Sequence, residues 1–522
     1  VLMESIVIST TTYFRPNLSG MVSLTKKPYD LLSEEEYTVF GENKFKSPLK
    51  EPFSTFSIDV DAASYTNVRR FLNEGLFPPR DAIRTEELIN FFKYDYQKPA
   101  GKEPVAISTQ TGICPWDSSH ILFKAGIKTR DIMQKDLPAA NFVFLIDVSG
   151  SMFGPIRLDL VKSSMKMLVE NLRSVDKVAI VVYAGSAGMV LPSTSGKNKN
   201  KIIQALDNLE AGGSTAGGEG ILMAYKIAKD NFIKNGNNRI VLCTDGDFNV
   251  GPSSEKQLEA LIEEQRKSGV YLSVLGYGMG NYKDNSMQAL AQKGHGNHAY
   301  IDDIAEAKRV LVNETGTLYT VAKDVKLQVE YNPLKVQSYR LIGYETRLLH
   351  DKDFNDDAED AGEMGAGHTV TAFYEIIPTA ANTGSDNIES AGKETSAITT
   401  DSDELLTINL RYKLPDEDKS NLLSVPVVYD ANTYNGDDFR FASAVAMFAQ
   451  LLRDSEFKGN ATYDDVIKLA GSAIEKDKDG LRREFLQLVE KAKEMVHSGK
   501  PLLNGNIHID SDLFEGFEAD RL

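Results

Sequence analysis

At 522 residues the chain exceeds what one hydrophobic core organises, because single cores stop growing near roughly 250–300 residues, and two or three domains are expected. A composition of 42% hydrophobic and 25% charged residues with two cysteines belongs to a globular protein and excludes the fibrous, disordered and disulfide-stapled classes. The net charge of −17 argues against nucleic acid and anionic membrane surfaces as partners, since both are held by clustered Lys and Arg.

Residues 1–52, with Pro16, Asn17, Ser19 and Gly20 and later Gly41 and Pro52, keep no sustained period and read as a leader or tether. No run approaches the roughly 20 apolar residues of a membrane-spanning helix. From Phe53 the pattern tightens. Phe56-Ser57-Ile58-Asp59-Val60 alternates as a strand does. Residues 63–74 carry Tyr65, Val68, Phe71 and Leu72 at helical spacing until Pro78-Pro79 stops the run, and 86–94 is a second short helix. Strand-like runs follow at 105–109 and 121–125, so 53–137 reads as an N-terminal region of helices and strands.

Residues 138–318 alternate apolar strand runs, at 142–146, 178–183, 240–244 and 270–277, with helical runs at 158–172, 202–209, 221–232 and 258–267. Strands spaced by amphipathic helices predict a parallel sheet covered on both faces, a doubly wound α/β domain. Strand alternation returns only after residue 322, at 325–329, 369–377 and 405–412. The β-rich segment 319–420 is therefore expected to pack with the strands of 105–129 as a β-sandwich-like domain into which the α/β domain is inserted. Residues 380–404, rich in Ser, Thr, Asp, Asn and Gly, read as a long mobile loop. The remainder, 421–522, is predicted helical. Phe439, Ala442, Val445, Ala446, Ala449 and Leu452 make one apolar face, Thr462 and Asp465 form a capping box, and Leu481, Phe485, Leu488, Val489, Ala492 and Val496 make another stripe. Cys114 and Cys243 fall in different domains and are expected to stay unbridged.

The motif that carries chemistry is Phe144-Leu145-Ile146-Asp147-Val148-Ser149-Gly150-Ser151-Met152, in which a buried strand ends in Asp-x-Ser-x-Ser just before a helix. Ligands of open α/β sheets bind outside the carboxyl ends of the strands. Asp147 supplies an anionic oxygen and Ser149 and Ser151 supply hydroxyl oxygens, the hard donors that divalent cations take in octahedral geometry. Gly212-Gly213-Ser214-Thr215 precedes a helix and can bring the Thr215 hydroxyl to the same edge. Thr244-Asp245 ends another strand and brings a second carboxylate. Two aspartates and three hydroxyls leave a coordination position for a carboxylate from another molecule.

The set Asp147, Ser149, Ser151, Thr215 and Asp245 resembles, residue for residue, the metal-ion-dependent adhesion site (MIDAS) of von Willebrand factor A (VWA) domains. Beyond it, Phe56 to Tyr65 with residues 67–72, Gly365 to Ala372, and Phe439-Arg440-Phe441-Ala442 resemble a bacterial group of VWA proteins with a distinctive N-terminal domain and a C-terminal domain of unknown function. The resemblance spans about residue 50 to the end. It implies the fold and a Mg2+ site, with Mn2+ or Ca2+ as alternatives, and no agreed activity. It also implies that Asp245 and Thr215 can exchange as direct ligands when a partner's carboxylate arrives, coupling binding to movement of the final helix of the domain at 304–313.

Other signals are set aside. Asp59, Asp61 and Ser64 echo the motif but are read as caps of the following helix. The acidic run 351–363 has neither a glycine at the sixth position nor a glutamate at the twelfth when a calcium loop is started at Asp351 or Asp353, and is read as a solvated acidic loop. His295-x-x-His298 is read as a pair of ordinary loop histidines. Gly185-Ser186-Ala187-Gly188 lacks the first glycine of a nucleophile elbow, and Gly213 to Gly218 is not followed by the lysine of a phosphate loop. No residue set for catalysis is visible, so the chain is expected not to be an enzyme. The expected function is a metal-dependent adhesion or interaction module that holds an acidic residue of a protein partner, with Arg157 and Lys162 setting specificity at the rim. The alternative is an assembly or chaperone-type adaptor beside a separate ATPase. The first fifty residues read as a spacer from an anchor and proteins of the resembled group are often exported, so the expected location is the cell envelope.

Overall fold

The computed structural model describes residues 35–58, 61–213, 217–246, 255–280, 282–379, 403–430, 436–475 and 477–499. The expected leader up to residue 34, most of the expected loop at 380–404, and Thr215 lie outside the described residues. In chain order the first elements are β1 (Phe53–Ser57), α1 (Ala63–Asn73), α2 (Thr85–Asn90), β2 (Val105–Ile113) and β3 (Ile121–Thr129). The middle of the chain forms β4 (Ala140–Asp147), α3 (Leu158–Glu170), β5 (Lys177–Tyr183), β6 (Ala187–Ser195), α4 (Lys199–Asp207), α5 (Gly217–Asp230), β7 (Asn237–Thr244), α6 (Glu255–Arg266), β8 (Tyr271–Gly276), α7 (Asp284–Lys293), β9 (His298–Tyr300) and α8 (Ile304–Lys308). Then come β10 (Thr320–Tyr331), β11 (Val336–Ile342), β12 (Gly362–Gly365), β13 (Thr369–Pro378), β14 (Glu404–Lys413) and β15 (Asn421–Val428), and last α9 (Asp437–Arg453), α10 (Tyr463–Gly471) and α11 (Leu481–His497).

The six middle strands form one sheet in the order β6-β5-β4-β7-β8-β9, with every neighbouring pair parallel except β5 and β6. Central strand β4 is buried along its whole length, and its side chains alternate between two cores. Phe142, Phe144 and Ile146 pack with Leu158, Met165, Ile202 and Leu311 from one helical layer, whereas Val143 and Leu145 pack with Ile221, Ile262 and Met287 from the other. That is the doubly wound arrangement expected. The antiparallel edge strand β6 was not expected, because Ala187–Ser195 carries neither a continuous apolar run nor a clean alternation.

Two antiparallel sheets, β1-β10-β14-β15 and β11-β13-β3-β2, face each other across a core that includes Phe56, Leu327 and Val329 from one and Phe123, Ile127 and Tyr374 from the other. Strands from before the α/β domain pair with strands from after it: β1 with β10, and β3 with β13. The α/β domain is thus inserted into a sandwich. Asn421–Val428, assigned from sequence to the helical region, is instead the edge strand beside β14. Pro426 cannot donate to a ladder, which masks the strand in the sequence and suits it to an edge.

The helices of the two chain ends share one core. Tyr65, Phe91 and Phe92 of the N-terminal region pack with Phe441, Phe448 and Phe485 of α9 and α11. At the start of α10, Thr462 and Asp465 form the expected capping box. Residues 35–52, read from sequence as part of a tether, lie against the body instead: Arg70 makes a two-pronged ion pair with Glu35, and residue 46 exchanges backbone hydrogen bonds with Tyr339. A tether reading cannot see partners three hundred residues away.

An ionic cluster at the ends of α6 and α7 ties the inserted domain to the sandwich. His295 lies 2.8 Å from Asp360 and 3.2 Å from Glu363, and Arg266 lies 2.7 Å from Asp360. Burial alone would lower the imidazole, but the two carboxylates more than offset it and hold His295 up at about 9. A histidine raised above its usual value adds stability that is complete below about pH 6.5 and is lost as pH rises through about 9. Thermal stability is therefore expected to fall between about pH 7 and pH 9.5 more in the wild type than in His295→Gln. Parallel melting curves for the two proteins over that window would remove the contact as the cause.

Candidate metal centre

The site is built by the carboxyl ends of β4 and β7. Asp147 is the last residue of β4 and is buried, and the chain then turns through a short 3-10 segment, Gly150–Met152, before α3. Spacing by two brings the side chains together. The Ser149 amide donates to Asp147 Oδ1 at 2.8 Å, and the Ser149 and Ser151 hydroxyl oxygens lie 3.0 Å apart. Asp245 follows β7 directly and is also buried. Burial pushes Asp147 up, the Ser149 hydrogen bonds oppose this, and the charge of Asp245 adds to it, leaving the Asp147 carboxyl at about 6.

Backbone contacts bring the glycine loop to the same edge. Gly150 donates to the Gly213 carbonyl at 3.0 Å, and Gly212 donates to the Val148 carbonyl at 2.7 Å. Gly213 has φ +89°, a conformation that favours glycine. Of the five residues named from sequence, four are therefore placed at one sheet edge, and Thr215 lies two residues beyond the described Gly213.

Two residues that sequence reasoning missed support the site. The Thr244 hydroxyl donates to Asp147 Oδ2 at 3.4 Å and accepts from the Gly246 amide at 3.1 Å, which ties the ends of β4 and β7 together. Tyr183 is buried at the end of β5, where burial first and the Asp147 charge second lift its hydroxyl well above the usual range. The pairing of Thr244 with Asp245 was a legible signal; Tyr183 had none. Arg157 and Lys162, expected at the rim, both donate to backbone carbonyls. Arg157 donates to the carbonyls of Ser151 at 2.5 Å and Met279 at 2.7 Å, and Lys162 donates to the Asp207 carbonyl at 3.2 Å.

The donor set fits a hard divalent cation. It offers two buried carboxylates whose charges oppose one another and hydroxyl oxygens at contact distance, with no nitrogen or sulfur among the named residues. Among the described residues no three or more His, Cys, Asp or Glu side chains gather as a metal-holding group. The echoing motif at Asp61 and Ser64 serves the fold instead. Asp61 accepts from the His298 amide at 2.7 Å and pairs with Arg347 at 3.3 Å, while Ser64 donates to the Ala82 carbonyl at 2.6 Å; neither caps α1. His298 is a buried strand residue rather than a loop histidine, with Nε2 3.1 Å from the Tyr282 hydroxyl. Cys114 and Cys243 are both buried and unbridged.

Three family profiles match the chain: one described as von Willebrand factor over residues 31–124, one described as von Willebrand factor type A domain over 141–312, and one described as uncharacterized protein YfbK, C-terminal, over 316–495. The uncharacterized protein YfbK of Escherichia coli K12 is 43% identical over 464 residues, which span 87% of this chain and 80% of that protein. Inter-alpha-trypsin inhibitor heavy chain H2 of Sus scrofa is 25% identical over 191 residues, covering 34% of this chain and 20% of that protein. A solved structure of a von Willebrand factor type A protein from Catenulispora acidiphila aligns with 73% of this chain and 89% of its own, at 16% identity and a TM-score of 0.42.

Proposed function

Since the chain belongs to the bacterial family of the YfbK protein, built around a von Willebrand factor type A domain, we propose that it is a metal-dependent protein-binding module. Asp147, Ser149, Ser151, Thr215 and Asp245 would hold one Mg2+, or Mn2+ or Ca2+, and the ion would supply a Lewis-acidic position for a carboxylate of a protein partner. The observation that carries this reading is the convergence of Asp147, Ser149 and Ser151 on one sheet edge, with buried Asp245 arriving from β7. The residues of this chain orient the ligands. Thr244 and the Gly212-Gly213 backbone fix the three loops, and Arg157 holds the serine loop through the Ser151 carbonyl. Isothermal titration of Mg2+ into the wild type and into Asp147→Ala tests the assignment: binding to the first and at least a hundredfold weaker binding to the second are expected, and equal affinities overturn it.

A ligand-driven switch is part of the proposal. The final helix, α8, runs into a π-wound segment, Arg309–Asn313, of the kind often found at functional positions. It is gripped from outside the domain: Arg69 of α1 holds Asp302 and Glu306, and Lys93 lies 3.2 Å from Glu314. A partner moves this segment only by binding its two positions with different affinity. An engineered disulfide tethering α8 to α3 is expected to weaken partner binding after oxidation, and unchanged affinity would mean a rigid site.

Among the described residues no helix is long and apolar enough to cross a membrane. An envelope location is proposed on the family resemblance. Fractionation of cells expressing the full-length gene is expected to place the protein in the envelope, and a purely cytosolic result overturns that placement.

A further inference from the structure

The loop that carries the candidate metal ligands also carries two large apolar side chains in water. Phe153 is 81% exposed and Ile156 41% exposed, two and five residues beyond Ser151. Single exposed apolar residues are ordinary on protein surfaces. Two of them on one braced loop, on either side of Gly154-Pro155, are a different feature.

The brace is extensive. Phe153 donates its amide to the Gly150 carbonyl at 3.3 Å, Arg157 donates its amide to the Gly154 carbonyl at 3.3 Å, and the Gly278 amide donates to the Ile156 carbonyl at 3.1 Å. The Arg157 guanidinium joins the carbonyls of Ser151 and Met279, and the Tyr300 hydroxyl donates to the Gly278 carbonyl at 2.6 Å. The backbone is therefore held while the phenyl ring projects outward, which gives an aromatic anchor that needs little ordering when a partner arrives.

Position decides what covers it. Phe153 and Ile156 follow Ser151 on the same loop, so a molecule whose carboxylate reaches an ion held by Ser149 and Ser151 lies beside them. The cation of the same loop, Arg157, points its guanidinium at the carbonyls of Ser151 and Met279, which leaves Phe153 and Ile156 as the large side chains that this loop exposes. With a net charge of −17, the chain also repels an acidic partner at long range, so the attraction must be local to the ion and to apolar contact beside it. We infer that the partner presents an Asp or Glu side chain flanked by aliphatic side chains, with Phe153 and Ile156 as the apolar seat. This inference rests on the metal-dependent reading above.

The test uses the full chain and three surface-coupled synthetic peptides, Ala-Leu-Asp-Leu-Ala, Ala-Ser-Asp-Ser-Ala and Ala-Leu-Asn-Leu-Ala, with Mg2+ or with EDTA. In Mg2+ the Leu-Asp-Leu peptide is expected to bind about tenfold or more tightly than Ser-Asp-Ser, as burial of a phenylalanine against aliphatic groups provides. Leu-Asn-Leu is expected to bind only at background. Phe153→Ser should abolish the preference for leucine, with a Mg2+ titration like that of the wild type as the control for folding. Equal Mg2+-dependent binding of the two Asp peptides overturns the apolar seat and leaves the metal reading standing. Binding of Leu-Asn-Leu as tight as Leu-Asp-Leu overturns the acidic requirement, and no Mg2+-dependent binding of any peptide overturns both.

Discussion

Replacing Arg84 with alanine is expected to destabilise the protein by about 3–5 kcal/mol, the cost of leaving buried charges without their partner. Arg84 is 1% exposed and sits where the N-terminal region meets the inserted domain. Its guanidinium donates to both oxygens of Glu87 and to Asp284 at the start of α7, and all three side chains are buried. Glu87 in turn accepts from the Ser64 amide at 2.9 Å, and the Ser64 hydroxyl accepts from the Arg84 amide at 2.9 Å. Burial pushes the Asp284 carboxyl up, and Arg84 more than offsets this and holds it below the usual carboxylate range. Without the guanidinium, two carboxylates remain in a low-dielectric junction and must take up protons or open the interface to water. Urea unfolding reads the loss as a lower midpoint. The triple variant Arg84→Met, Glu87→Gln, Asp284→Asn removes charge from both sides and should recover most of it, since neutral replacements of buried ion pairs are often tolerated. A loss under about 1 kcal/mol in the single variant would show that the cluster is not a junction of consequence.

The second large effect is an inversion. In the absence of divalent metal, Asp147→Asn is expected to be more stable than the wild type, because it removes one of two buried carboxylates that repel each other while Asn can still accept from the Ser149 amide. With Mg2+ at about a hundred times its dissociation constant, the wild type should gain about 2.7 kcal/mol and the variant nothing, so that the order of their melting temperatures reverses. Scanning calorimetry of both proteins in EDTA and in Mg2+ tests this. The same rank order in both conditions would mean that the carboxylates do not face a cation.

The α/β domain was legible because each of its parallel strands is buried on both faces and so reads as an apolar run, as in Phe142 to Ile146. Each helix presents one face only and reads at helical period. Asp147, Ser149 and Ser151 were legible for a related reason: three ligands on one loop are close in sequence as well as in space. Strands β6 and β15 escaped because edges tolerate polar residues and proline, so their residues show no period. The role of Asp61, which joins β9 and Arg347, could not be read from Asp59-Val60-Asp61-Ala62-Ala63-Ser64, where helix capping and metal binding ask for the same side chains.

By itself the sequence determined what local spacing determines: the doubly wound domain, its insertion between stretches of alternating strands, the capping box at Thr462, and the family to which the metal motif points. The tertiary structure alone decided which distant groups meet. It joined α1 and α2 with α9 and α11 in one core, paired Arg84 with Asp284 and Arg69 with Asp302, drew residues 35–52 onto the body, and set Arg157 between the Ser151 and Met279 carbonyls. The physical reason is range. Backbone periodicity and motif spacing act over a few residues and leave their mark on the sequence itself. A buried ion pair or a shared aromatic core is specified only by complementarity between segments hundreds of residues apart, and either half alone looks like an ordinary polar or apolar face.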